Sequence, residues 1–332
     1  MRTIAFVSST GGAGKTSLVY HLAHMLARIG YSTLAVDLDP LATLSALFLG
    51  EKPLEEMWDE GTHTVFSSVA PLMDGEGDIG RPKPFQVTES LWGLAGEPAI
   101  WSLDGPLAEA RFKCYAGERF AFSRLSIFHR VVRQAGLDTD SAVALLDLGS
   151  GLGSINRAAL LAADFLVFPL AADTFSLHGL KVLGPFISQW REEWMHLRKR
   201  AGHSSVELPE GRMAPAGYVA LRLNSYGGRI VRSRSQAHWM DQLPAAYATT
   251  VLGAEVTGTS MDDDPNCLAV LRNYASLMSM AQEARKPMFD LGPADGVVGT
   301  YSQLVSNSYV DFEALAELLA QRCGLRKSTQ GE

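Results

Sequence analysis

Val7–Ser17, VSSTGGAGKTS, is the stretch on which the fold turns. It follows the apolar run TIAF and leads into LVYHLAHMLARIG. Gly11, Gly12 and Gly14 let a chain turn tightly and bring several backbone N–H groups to one point with no Cβ in the way. Leu18, Leu22, Met25 and Ile29 recur at helical spacing, so a helix is predicted from Lys15 to Ile29, with Gly30 as its stop. STLAVDLDP then reads as a second buried strand closed by Pro40. Strand, glycine loop, helix and strand in that order form a parallel-sheet unit whose loop holds phosphate at a helix N-terminus. In such a loop Gly11, Gly12, Ala13, Gly14 and Ser17 wrap the phosphates. Lys15 places its ammonium on the β- and γ-phosphates, and Thr16 offers its hydroxyl to Mg²⁺.

Elsewhere the chain alternates strands and helices. AVALLDLGS, DFLVFPLAAD and PAGYVALRLN read as strands; LHGLKVLGPFISQWREEWMHLRKR and YVDFEALAELLAQRCG read as helices. ESLWGLAGEPAIWSLDG reads as a strand running into a loop. The expected class is α/β, a mostly parallel twisted sheet with helices on both faces. One domain over 1–322 is expected, with peripheral insertions near 51–90 and 190–215 and a disordered tail at 323–332. The 332 residues carry a formal charge of −7, which argues against a uniformly basic surface but permits one basic face. Cys114, Cys267 and Cys323 are widely separated, so neither a zinc site nor a disulfide framework is expected, and a reduced cytoplasmic compartment fits. No apolar run reaches the roughly 18 residues that span a bilayer.

The pattern x-G-G-x-G-K-[ST] at residues 10–16 resembles that of the ParA/MinD family of deviant Walker P-loop ATPases. Other segments share the resemblance. TLAVDLDPLATLS is similar to the family's V-D-x-D-P-Q segment, which implies that Asp39 positions the attacking water and helps organise the metal, with Asp37 a supporting carboxylate. ALLDLGSGLGSINRAALLAADFLVFPLAAD resembles the I-D-x-P-P stretch and implies Asp147 as the Walker B acid beside Mg²⁺. ESLWGLAGEPAIWSLDGPLAEA and ARKPMFDLGP resemble two further family segments. The resemblance implies an ATP-dependent homodimeric switch that hydrolyses MgATP slowly, is stimulated by a protein partner, and positions or segregates a cargo. It also implies adenine recognition near Asn224. The resemblance also allows non-specific DNA binding through Arg222, Arg229, Arg232 and Arg234; no membrane partner is expected, since the final helix is acidic and not a basic amphipathic anchor.

Three departures matter. Thr10 stands where the family carries a lysine that crosses to the partner's nucleotide, a contact of a kind worth about 1.5–3 kcal/mol. Leu41 replaces the family's glutamine, and Gly149 its proline. Arg157 and the arginines of GGRIVRSRSQ are candidates for a relocated cation. The alternative function is a nucleotide-binding regulatory or scaffold protein with little ATPase activity. His21 and His24, three apart on the first helix, are expected to pack rather than bind metal, and Trp190 and Trp194 to pack or face a partner.

Overall fold

The structure is a computed structural model. It describes residues 1–202, 207–223, 225–226, 229–230, 234–255, 260–274 and 276–327. Among them are ten strands: β1 Arg2–Phe6, β2 Thr33–Leu38, β3 Phe85–Thr88, β4 Leu91–Leu94, β5 Val143–Leu148, β6 Phe165–Ala171, β7 Ala214–Leu223, the two-residue β8 Ser225–Tyr226 and β9 Arg229–Ile230, and β10 Cys267–Arg272. Eight form one sheet in the order β10-β7-β6-β1-β5-β2-β4-β3. Every pairing in it is parallel except β3 with β4. The central strands are buried on both faces, as their unbroken apolar runs require. Along β1, Ile4 and Phe6 enter the core under α1 (Lys15–Arg28) and the helix Thr300–Cys323. Ala5 joins the other core, under Val65–Asp74, Ile127–Asp138 and Thr174–Arg200. Side chains that alternate across a strand thus supply both layers.

Two strands of the eight-stranded sheet, β3 and β10, are absent from the sequence reading, as are the two-residue β8 and β9. β3 is a four-residue antiparallel edge, and β10 lies in CLAVLR, a run that reading did not single out. The closing helix begins at Thr300, nine residues before the predicted start. Residues 51–90 fold as helices Glu51–Glu60 and Val65–Asp74 followed by β3. Trp58 ties them to the sheet by donating its indole N–H to the Gly96 carbonyl at 2.9 Å.

His21 and His24 pack in the layer beneath α1. The His21 ring lies 5.2 Å from Phe312, and the His24 ring 4.8 Å from Tyr20. Burial pushes their imidazoles down, to about 4 and about 3. Both folded values lie below the ordinary one, so the unfolded chain binds more protons as pH falls below about 6.5. The stability these residues contribute is complete above that pH and is lost as pH falls towards 4. His24→Leu is therefore expected to lose fewer degrees of unfolding midpoint than the parent between pH 7 and pH 5. Equal losses in a pH series of melts would show that His24 does not carry this dependence.

Candidate nucleotide site

The loop Val7–Gly14 leaves β1 at the C-terminal edge of the sheet. Gly12 and Gly14 sit at φ +74° and +93°, left-handed values that side-chain-bearing residues avoid. Among the described residues no acceptor is bonded to the N–H groups of Gly11, Gly12, Ala13 or Gly14. Gly14 opens α1 without a side-chain cap, so the loop adds its free donors to those of the helix N-terminus. Ser8 braces the turn: its hydroxyl donates to the Thr10 carbonyl at 2.9 Å and accepts from the Thr10 N–H at 3.3 Å.

Three acids meet beneath the loop. Asp37 and Asp147 are register partners on β2 and β5, one strand apart. Asp147 is fully buried, and its Oδ1 accepts from Lys15 Nζ at 2.6 Å. Its Oδ2 is buried with no hydrogen-bond partner. Burial pushes this carboxyl up; the Lys15 ammonium and the nearby Thr16 side chain pull it down. Asp37 is buried too, and burial together with Asp147 raises it to about 7. Both its oxygens are committed: Oδ2 accepts from the Ser45 N–H at 2.8 Å and hydroxyl at 2.7 Å, Oδ1 from the Asp39 N–H at 3.2 Å. The Ser45 hydroxyl oxygen also accepts from the Gly96 N–H at 2.8 Å. A Cβ at Gly96 would stand 3.0 Å from Asp37 Cγ, so glycine is needed for that approach. Asp39 is half-buried; its Oδ1 accepts from the Leu41 N–H at 3.0 Å and faces the loop at Gly149. That loop is pinned by Asn156, whose amide donates to the Gly149 and Gly151 carbonyls at 2.8 and 3.0 Å.

Beside the glycine loop opens a cavity of about 370 Å³. Ala13, Gly14, Ser17 and Leu18 form one wall; Leu271, Arg272, Asn273, Tyr274 and Met278, from the end of β10 onward, form much of the rest. Asp311 fixes that wall, accepting from Arg272 Nε at 2.8 Å and from the Tyr274 hydroxyl. The Asn273 N–H donates to the Leu223 carbonyl at 2.7 Å, so this segment follows the end of β7. The sequence reading missed these residues; the apolar run CLAVLR followed by Asn was the available signal. Asn224 and Arg232 lie outside the described residues. Arg222 lies in β7, Arg229 in β9, and Arg234 opens the short helix Arg234–Met240.

Arg157 is not a free cation. It pairs with Glu193, which also takes Arg111 at 2.6 Å, and its guanidinium lies 5.2 Å from the Trp190 ring centroid. Trp190 and Trp194 are buried, and the Trp194 indole N–H donates to the Pro209 carbonyl at 2.9 Å.

The helix Thr174–Arg200 seats the glycine loop through Gly179. A Cβ there would fall 1.8 Å from Ser9 Oγ and 3.1 Å from Ser9 Cβ. Gly179→Ala is expected to displace the loop and weaken nucleotide affinity by about tenfold, the effect of a 1–2 kcal/mol overpacking. Adding Ser9→Ala should restore part of that loss, because the hydroxyl is the nearest atom. Titration calorimetry of the single and double variants checks this; no weakening in the single variant rejects the packing argument.

The site defines a phosphate-loop nucleotide-binding protein of the open α/β class. The CobQ/CobB/MinD/ParA nucleotide binding domain matches residues 4–287, and the chain belongs to that family. It is similar to the chromosome-partitioning ATPase Soj of Thermus thermophilus, 28% identical over 231 residues, which cover 70% of this chain and 79% of that one. It is also similar to the cell division protein PomZ of Myxococcus xanthus, 29% identical over 58% of this chain and 53% of that one. The chain spans about half the length of the first curated relatives it matches. Its fold is shared with a variant of Cyanothece McdA in complex with ATP, at TM-score 0.62, 14% identity and 99% coverage of both chains. Protein DIP2308 of Corynebacterium diphtheriae has TM-score 0.69 and 20% identity, with 97% of this chain and 98% of that one covered. Among the described residues no helix is long and apolar enough to cross a membrane.

Proposed function

We propose that the chain is an ATP-driven dimerising switch that binds and hydrolyses MgATP to position or segregate a cargo, DNA or a protein assembly. The supporting observation is the convergence of three features: N–H groups without acceptors at Gly11–Gly14, the buried Lys15–Asp147 pair, and the cavity alongside. The donor set suits Mg²⁺. Among the described residues no cluster of three or more His, Cys, Asp or Glu could hold a metal. Mg²⁺ commonly needs only one or two carboxylates plus phosphate oxygens. Thr16, Asp39 and Asp147 are the residues that would hold it, and the unpartnered Asp147 Oδ2 is a buried acceptor in want of a partner. Bound there, the cation supplies charge neutralisation on the phosphates.

The chain's own residues do the rest. Lys15 exchanges Asp147 for the phosphates, and the loop N–H groups spread the charge that develops on the transferred group. Asp39, at the mouth of the site, orients water. The base occupies the cavity against Ala13, Leu18 and Tyr274. Met278→Trp fills that cavity and is expected to weaken MgADP affinity by about tenfold or more, the range of a 1–3 kcal/mol overpacking, without lowering the melting point of the free protein. Unchanged affinity in titration calorimetry removes the base from this cavity.

Thr10 favours the second reading, a regulatory or scaffold protein with little hydrolysis. No lysine stands at that position, and Arg157 is committed to Glu193 and Trp190. Steady-state phosphate release with and without DNA separates the two readings: turnover supports the switch, and tight MgATP binding without turnover supports the scaffold.

A further inference from the structure

We infer that the corner where the helices Asp104–Tyr115, Arg119–Leu125 and Thr174–Arg200 meet is a docking pad for an anionic lipid surface. The chain is acidic overall, yet segments 109–124 and 191–200 hold eight Lys and Arg against four Glu. Some of that charge is internal. Lys113 pairs with Glu109, Arg111 with Glu193, and Arg124 donates to the Met73 carbonyl. Arg119, Arg198 and Lys199 remain exposed. Basic residues in the last turn of Thr174–Arg200 also complement its helix dipole. That accounts for the charge but not for the apolar side chains among it.

Phe112 is 66% exposed, Phe120 and Met195 are each 47% exposed, and Tyr115 is 44% exposed. They come from three segments, and the turn Tyr115–Phe120 is exposed at all six residues. Arg200 joins the segments by donating to the Tyr115 carbonyl at 3.0 Å. Arg124 stacks 4.7 Å over Phe120, and Arg111 lies 5.4 Å from the Phe112 ring. Protruding aromatics ringed by cations fit a flat interface where rings enter the headgroup layer and cations meet lipid phosphate. A single polynucleotide strand would need a groove to follow, and duplex phosphates are met by cations alone, which leaves the exposed Phe112, Phe120 and Met195 without a role.

The pad lies away from the nucleotide. The helix that ends at Tyr115 begins at Asp104, whose carboxylate accepts from the Ser154 N–H at 2.8 Å, next to the Gly149–Gly153 loop. The Tyr115 end meets Arg200, on the chain leading to the start of β7, at the opposite edge of the sheet. A partner covering the nucleotide edge would leave it open. The acidic final helix, from which no membrane contact was expected, is a different surface.

The test is co-flotation of the full chain with vesicles of pure phosphatidylcholine and of phosphatidylcholine mixed with phosphatidylglycerol. Binding is expected to the mixed vesicles only. Phe112→Ser with Phe120→Ser, and separately Arg119→Glu with Lys199→Glu, should each reduce the bound fraction by about tenfold. Melting point and MgATP affinity should stay unchanged in both, so failure here is distinct from failure of the nucleotide reading. The inference is overturned if the mixed vesicles are not bound, if pure phosphatidylcholine binds equally, or if both variants float like the parent. It is also overturned if a duplex DNA fragment, and not the vesicles, loses binding in the same variants.

Discussion

Lys15→Ala is expected to reduce MgATP affinity by at least about 100-fold, the loss of a charge-assisted phosphate contact of roughly 3 kcal/mol. The same change acts on the free protein. Lys15 Nζ is the hydrogen-bond partner of Asp147, a fully buried carboxylate that shares its surroundings with Asp37. Breaking a buried pair from one side leaves the other charge without compensation and commonly costs about 3–5 kcal/mol. The free variant should therefore melt well below the parent. Lys15→Ala combined with Asp147→Asn should recover much of that stability, because the orphaned charge is gone, yet recover none of the affinity. A single variant that melts and binds like the parent would contradict both roles at once.

The double variant also bears on why the resting site is built this way. Unpaired, Lys15 and Asp147 would each be a buried charge without compensation, and pairing satisfies both. Under the proposed function a phosphate would have to compete with this internal ion pair, so affinity would be lower than an open lysine would give. This trade is set by side chains 132 residues apart in sequence that adjacent strands bring together.

What could be read from the sequence follows from locality. The loop, α1 and β2 are consecutive, and their glycines and 3.6-residue period announce themselves within thirty residues. Asp37, Asp39 and Asp147 were placed by the family resemblance, and all three stand at strand ends near the loop. Their division of labour was less legible. That Asp37 is spent on Ser45 and the Asp39 N–H depends on Gly96, more than fifty residues away. The cavity wall at Leu271–Met278 was missed for the same reason: β10 joins the sheet only through β7, and its pairing carries two register irregularities. Edge strand β3 has four residues and exists by pairing with β4. Arg157 looked available from its distance after Asp147, and only the packing of Thr174–Arg200 shows it bound to Glu193. The early start of the final helix lies in YSQLVSNS, whose serines and asparagine are weak helix formers, so packing rather than propensity decides it.

Asp39→Ala is expected to lower the rate of phosphate release by about 10²–10⁴, the span of a positioned acid–base group, while MgATP affinity falls far less than in Lys15→Ala. The competing explanation is that Asp39 only shapes its turn, since its Oδ1 accepts the Leu41 N–H at 3.0 Å. Asp39→Asn separates the two, because an asparagine oxygen can accept that same N–H but carries no charge. If the carboxylate acts on water, the asparagine variant should be as slow as the alanine variant in single-turnover assays. If the turn is all that matters, it should hydrolyse at the parent rate. Asp37 cannot substitute. Its pKa, raised to about 7, is well placed for a base, but both oxygens are engaged and the side chain is buried. Geometry therefore outranks pKa in choosing between the two acids: the one that can touch water is Asp39.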